Sequence, residues 1–178
     1  MDSNSSLQEN IYFRETQQFR QPWIWIIVLP ITALGFIAIV YTMVMQLILG
    51  NPVGDRPMPD NMLIWFGPLM LLIIAGVPIL LYLSRLVVQV DAQAIHIRFM
   101  PFLKKNILVN EIASWQARKY KPLLEYGGWG IRWGPGGKAY NVSGNWGVQL
   151  QFTTGKKLLI GSQMAQDFAA AIEKAKRA

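Results

Sequence analysis

The sequence has no cysteine and a single histidine among its 178 residues. Lack of cysteine excludes disulfides, thiol nucleophiles and thiolate metal sites, and it fits a reducing compartment. With His96 alone, no second imidazole is present to complete a zinc centre. On the polar side of an alternating segment, His96 reads as an ordinary surface residue. No metal or cofactor is expected.

Charge is missing from two long windows. Neither residues 21–54 nor residues 61–84 include Asp, Glu, Lys or Arg. A soluble core helix rarely runs so far without a charge, whereas a membrane span needs about 20 apolar residues. The same gaps exclude an intramembrane carboxylate relay of the kind that pumps use. Gln46 is the one strongly polar side chain within a span, near its far end, where a packing role is expected.

The first span is placed at 23–49, roughly 40 Å of helix and therefore longer than the hydrocarbon core. Pro30 and Gly35 offer places to bend, and Trp23 and Trp25 suit the headgroup region. Residues 50–61 hold three prolines and two glycines and read as a turn. The second span is placed at 62–84. Arg14 and Arg20 precede the first span and Arg85 follows the second, while the loop between carries Arg56 against Asp55 and Asp60. The positive-inside rule then puts both termini on the cytoplasmic side of the inner membrane, with an antiparallel two-pass hairpin between them. Residues 1–20 read as a polar cytoplasmic tail, and the apolar stretch starts too late and runs too long for a secretory signal.

The net charge of +7 is unevenly distributed. Residues 1–84 sum to −2 and residues 85–178 to +9. Within that basic part the hydrophobic period changes to two. Ile95, Ile97 and Phe99 alternate with His96 and Arg98, and Val148, Leu150 and Phe152 alternate with Gln149 and Gln151. Such alternation marks half-buried strands. Residues 87–90 and 95–99 form a predicted hairpin around residues 91–94, which Pro101 terminates. Further strands are predicted at 107–109, 112–120, 130–133, 138–142, 147–153 and 156–160, separated by turns rich in glycine. Short strands at this spacing suggest a barrel or sandwich. One helix, at 163–177, closes the chain. Ser162 can cap it, Phe168, Ile172 and Ala175 share a face, and Lys174, Lys176 and Arg177 complement the dipole in its last turn.

Strands followed by a single helix, directly after a membrane hairpin, resemble the bacterial pleckstrin-homology-like (PH-like) domain over residues 85–178. The stretch covering residues 115–163 is similar to a narrower family of uncharacterised bacterial two-helix membrane proteins. Three runs carry that likeness: Glu125-Tyr126-Gly127-Gly128-Trp129-Gly130-Ile131-Arg132, Ala139-Tyr140-Asn141-Val142-Ser143-Gly144, and Leu159-Ile160-Gly161-Ser162-Gln163. Met164-Ala165 stands where the family pattern has a proline at the helix start. The implied fold is a membrane α-helical hairpin plus an α+β domain, the latter an antiparallel β-barrel plugged by its C-terminal helix.

Two surfaces are candidates for binding. Glu125, Tyr126, Trp129 and Arg132, with Tyr140 and Asn141, are read as an interaction surface, in which an ion pair between Glu125 and Arg132 could tie a glycine-rich bend shut. Arg85, Lys104, Lys105, Arg118, Lys119 and Lys121 are read as contacts to anionic lipid. The glycine-rich 127–137 region lacks the Gly-Lys-Ser/Thr ending of a phosphate loop. Nucleic acid is not an expected partner. The leading expectation is a non-enzymatic platform for another membrane protein. Headgroup binding by the basic face is the alternative. An enzyme at the membrane surface is third, and it requires two of His96, Glu111, Glu125 and Tyr126 to meet in one pocket.

Overall fold

A computed structural model describes residues 11–178. The chain divides into two compact units, one formed by residues 20–83 and the other by the segments on either side of them.

The first unit is the helical hairpin. Helix α1, Pro22–Met43, begins on a proline, whose missing N–H is no loss at a first helical position. It continues as a π-helical turn, Val44–Ile48, and α2 spans Asp60–Leu83. Pro22–Ile48 and Asp60–Leu83 are long and apolar enough to cross a membrane. α1 buries no residue, and α2 buries only Leu63 and Gly67. At Gly67 the helices come close together, since a Cβ there would lie 2.6 Å from Sδ of Met43. Gln46, 6% exposed, donates from Nε2 to the Met58 carbonyl and the Asp60 carboxylate, pinning the turn to the end of α1. At the opposite end, Arg20 lies over the Tyr82 ring and Trp25 meets it edge-on.

The second unit holds nine strands and two helices among the described residues. Strand β1, Phe13–Gln18, is followed after the hairpin by β2, Arg85–Val90, β3, Ala94–Met100, and β4, Leu103–Leu108. These four form an antiparallel sheet in chain order. Then come β5, Ile112–Lys119, the short helix α3, Pro122–Tyr126, β6, Gly130–Gly134, β7, Gly137–Asn141, β8, Trp146–Phe152, β9, Lys157–Gly161, and helix α4, Ala165–Arg177. The second sheet has the order β5-β8-β9-β7-β6, and its β7–β9 pair is parallel.

Two sequence expectations are corrected here. The polar tail assigned to residues 1–20 is, over 13–18, an edge strand paired with β2 from Phe13↔Val90 to Gln18↔Arg85; residues 1–10 lie outside the described part. The hairpin is therefore inserted between two neighbouring strands. The sheets also do not close into a barrel. β1, β4, β5 and β6 are left as sheet edges, and β1 reaches the end of β9 through side chains. Gln17 donates to the Gly161 carbonyl, and Glu15 accepts from the Ser162 hydroxyl and the Gln163 N–H.

The core lies between the sheets, where α4 packs on β5, β8, β2 and β1. Leu86, Val88, Ile95, Ile97, Val148, Leu150, Ile160, Phe168 and Ile172 are fully enclosed. The shared face predicted for Phe168, Ile172 and Ala175 is buried. The helix starts two residues later than predicted, with Met164 and not Ser162 at its cap and no side-chain capping bond; the Ser162 hydroxyl accepts the Met164 N–H just before it. Phe13 stacks on Phe168 with centroids 5.1 Å apart. Phe13→Ala should therefore destabilise the β unit by about 3 kcal/mol, the range for truncating a buried aromatic. Thermal unfolding of the intact protein checks this, and an unchanged midpoint would mean that β1 is no part of the domain.

Candidate functional site

The bend between β5 and β6 is built by proline and glycine chemistry. Pro122 opens α3, and Gly127, at φ 70°, ends it in the left-handed region, where its N–H reaches the Leu123 carbonyl and the Gly128 N–H reaches that of Pro122. This short helix folds the chain back over the outer face of the second sheet. Tyr120, Tyr126, Ala139 and Leu159 form a small second core beneath it.

A polar cluster borders that core. Arg118 Nη2 donates to Glu125 at 2.7 Å and to Gln149 Oε1 at 3.1 Å, with the Tyr126 hydroxyl at 3.4 Å. Glu125 also accepts the Lys121 N–H. The hydrogen bond from Arg118 holds the Glu125 carboxyl below the usual carboxylate range, and the same bond raises the Arg118 guanidinium. Burial pushes Tyr126 up. It pushes Tyr120 up to about 12, although the Asn141 side chain donates to its hydroxyl at 3.0 Å.

The ion pair expected between Glu125 and Arg132 is not made. Glu125 pairs with Arg118, and Arg132 Nε donates to the Trp129 carbonyl. Trp129 is half-buried, with its indole N–H on the Gly144 carbonyl. Tyr126, Tyr140 and Asn141 are buried, at 3%, 3% and 0% exposure. Asn141 pins the bend, accepting the Gly130 N–H while donating to Tyr120. Of the six residues read as an interaction surface, only Glu125, Trp129 and Arg132 reach solvent.

The predicted basic set is divided among three places. Arg118 belongs to the polar cluster just described, with Lys119 and Lys121 exposed beside it. Lys105 lies on the inner side of β4, in register with the buried Ile97. Arg85 and Lys104 lie on the outer face of the first sheet. There the ladder adds two residues that were not singled out, Arg14 and Arg98, the latter directly opposite Lys104. Among the described residues, the carboxylate that meets that outer face is Asp91, which is buried and paired with His96. Glu15 points inward and is buried. Asp91, buried just past the end of β2, caps the turn by accepting the Gln93 and Ala94 N–H groups and meets His96 at 2.5 Å. Burial pushes its carboxyl up, but these bonds together outweigh burial and leave it lowered.

His96 thus belongs to the first sheet and Glu125 and Tyr126 to the bend, where both meet Arg118. Glu111 sits in the 3-10 turn before β5, its carbonyl accepting the Thr153 N–H.

Fold and surface together define a two-helix hairpin of membrane-spanning length inserted between the first two strands of a two-sheet α+β domain. The chain belongs to a family of unknown function, DUF6141, whose model matches residues 6–178. No curated protein matches the chain.

Because Tyr120 is kept neutral by folding, its contribution to stability is complete below its ordinary value near 10 and is lost as pH rises towards about 12. Alkaline unfolding should begin in that window, and Tyr120→Phe should shift it upward. A midpoint unmoved by the substitution would contradict this assignment.

Proposed function

We propose that the chain is a two-pass membrane protein whose hairpin anchors a non-enzymatic, PH-like binding domain, and that the outer face of the first sheet binds anionic lipid headgroups. Two sheets followed by one packing helix support the PH-like reading. The outward apolar surfaces of α1 and α2, which burial in a soluble core would have hidden, support the membrane reading. The positive-inside pattern supports cytoplasmic termini at the inner membrane.

One observation carries the headgroup reading. Arg14, Arg85, Arg98 and Lys104 share a face on which Asp91, buried and paired with His96, is the carboxylate among the described residues, and only Ser84 separates Arg85 from the end of α2. The chain cannot carry Arg85 more than about 7 Å from the helix end. At roughly 1 kcal/mol per cation near an anionic surface, four such residues supply about 4 kcal/mol.

Reconstitution of the intact protein tests this. A fluorophore on Thr16→Cys, unique because the chain lacks cysteine, reports the exposure of the outer face. Its quenching by an aqueous quencher should fall when phosphatidylglycerol replaces part of the phosphatidylcholine, and high salt should restore it. Arg85→Gln, Arg98→Gln and Lys104→Gln together should abolish the difference. Equal quenching in both lipids would remove the proposal.

A second reading, an adaptor for another membrane protein, is favoured by Leu123 and Leu124, 66% and 78% exposed on α3. Adjacent exposed apolar side chains mark a surface that a partner can cover. Co-purification in mild detergent should then yield a stoichiometric partner that Leu124→Ser loses. A clean preparation would count against it.

A further inference from the structure

The open seam between the sheets forms a cleft of about 460 Å³. Lys105 lines it from the first sheet; Lys138, Lys156, Lys157, Trp133 and Phe152 line it from the second. Its lining contains no carboxylate, and among the described residues none of the four lysines makes an ion pair. Lys105 is the most telling. It occupies an inward position of β4, between Leu103 and Ile107, where an apolar residue is the ordinary choice. Its ammonium lies 5.7 Å from the centroid of the Phe152 ring, and that of Lys138 lies 5.3 Å from the Trp133 centroid. The two rings thus attract Lys105, half-buried, and Lys138, exposed, to the cleft wall. Four like charges brought to one concavity from three separate chain segments repel one another. A multiply charged anion would relieve that repulsion.

We infer that this cleft is a binding site for a phosphate-rich anion, with the lysines as point charges on its oxygens and the two rings as apolar walls for whatever carries it. The anion is either a free oligophosphate compound or a multiply phosphorylated lipid headgroup. The cleft is distinct from the outer face of the first sheet, so neither proposal depends on the other.

The test uses the intact protein in neutral phosphatidylcholine nanodiscs. Inorganic tripolyphosphate is titrated calorimetrically in one arm. In the other, a phosphatidylinositol bisphosphate is included in the bilayer and binding is read by the same calorimetry as competition with tripolyphosphate. Saturable 1:1 binding of tripolyphosphate is expected, with competition by the lipid assigning the source to the membrane and none assigning it to solution. Lys138→Gln with Lys157→Gln should weaken binding about tenfold or more, while the same two positions as Arg should retain it, because the site reads charge. Lys174→Gln, on α4 and outside both proposed surfaces, should leave affinity unchanged. Absence of saturable binding would overturn the inference. So would a loss on Lys174→Gln equal to that of the cleft variants, since it would mark a diffuse effect of net charge.

Discussion

The antiparallel ladder between β1 and β2 spans the insertion of the whole hairpin, and much of the remaining structure depends on it. Six register pairs join Phe13–Gln18 to Arg85–Val90, although every residue of both spans lies between them. Closing so long a loop carries an entropic cost that grows only slowly with its length. Packing of α1 against α2 already brings the two chain ends together, so the ladder forms between segments held near one another. β1 in turn places Phe13 on Phe168 and Glu15 on the start of α4. The strand before the spans thereby fixes the helix at the end of the chain.

That arrangement explains which parts of the fold are legible in the sequence. The spans announce themselves by missing charge, β3 and β8 by alternating hydrophobicity, and α4 by the spacing of Phe168 and Ile172. Strand β1 is invisible for a physical reason. Its inward positions are Phe13, Glu15 and Gln17, two of them polar, because they satisfy hydrogen bonds at the end of β9 rather than fill apolar space. A period-two hydrophobic signal cannot reveal a strand whose buried face is largely polar. Helix α3, at five residues, is too short to show a helical period.

The candidate surfaces are legible in composition and not in position. The run around Glu125 reads as a bend and forms one, but its carboxylate turns back to Arg118 on β5, a pairing set by how α3 folds over the sheet. Tyr126, Tyr140 and Asn141 look like recognition residues because aromatic and amide groups beside glycines suit binding. Tyr126 and Asn141 are instead buried supports of the bend, and Tyr140 is buried on β7. The positive charge of residues 85–178 is evident, yet only the strand register shows that Arg98 and Lys104 lie side by side, and only the open seam explains a lysine on the inner side of β4.

The absence of cysteine makes the central claim directly measurable. Thr16 and Val87 are register partners on the outer face of the first sheet, so Thr16→Cys with Val87→Cys places the only two thiols of the chain opposite each other. A protease site introduced into the loop between the spans then separates the chain into two fragments. If β1 pairs with β2 across the hairpin, mild oxidation leaves the fragments joined until a reductant is added. Thr16→Cys with Gln151→Cys, a position whose ladder partners belong to the second sheet, leaves them apart. Fragments that separate without reductant when the thiols stand at positions 16 and 87 would contradict the insertion of the hairpin into the domain.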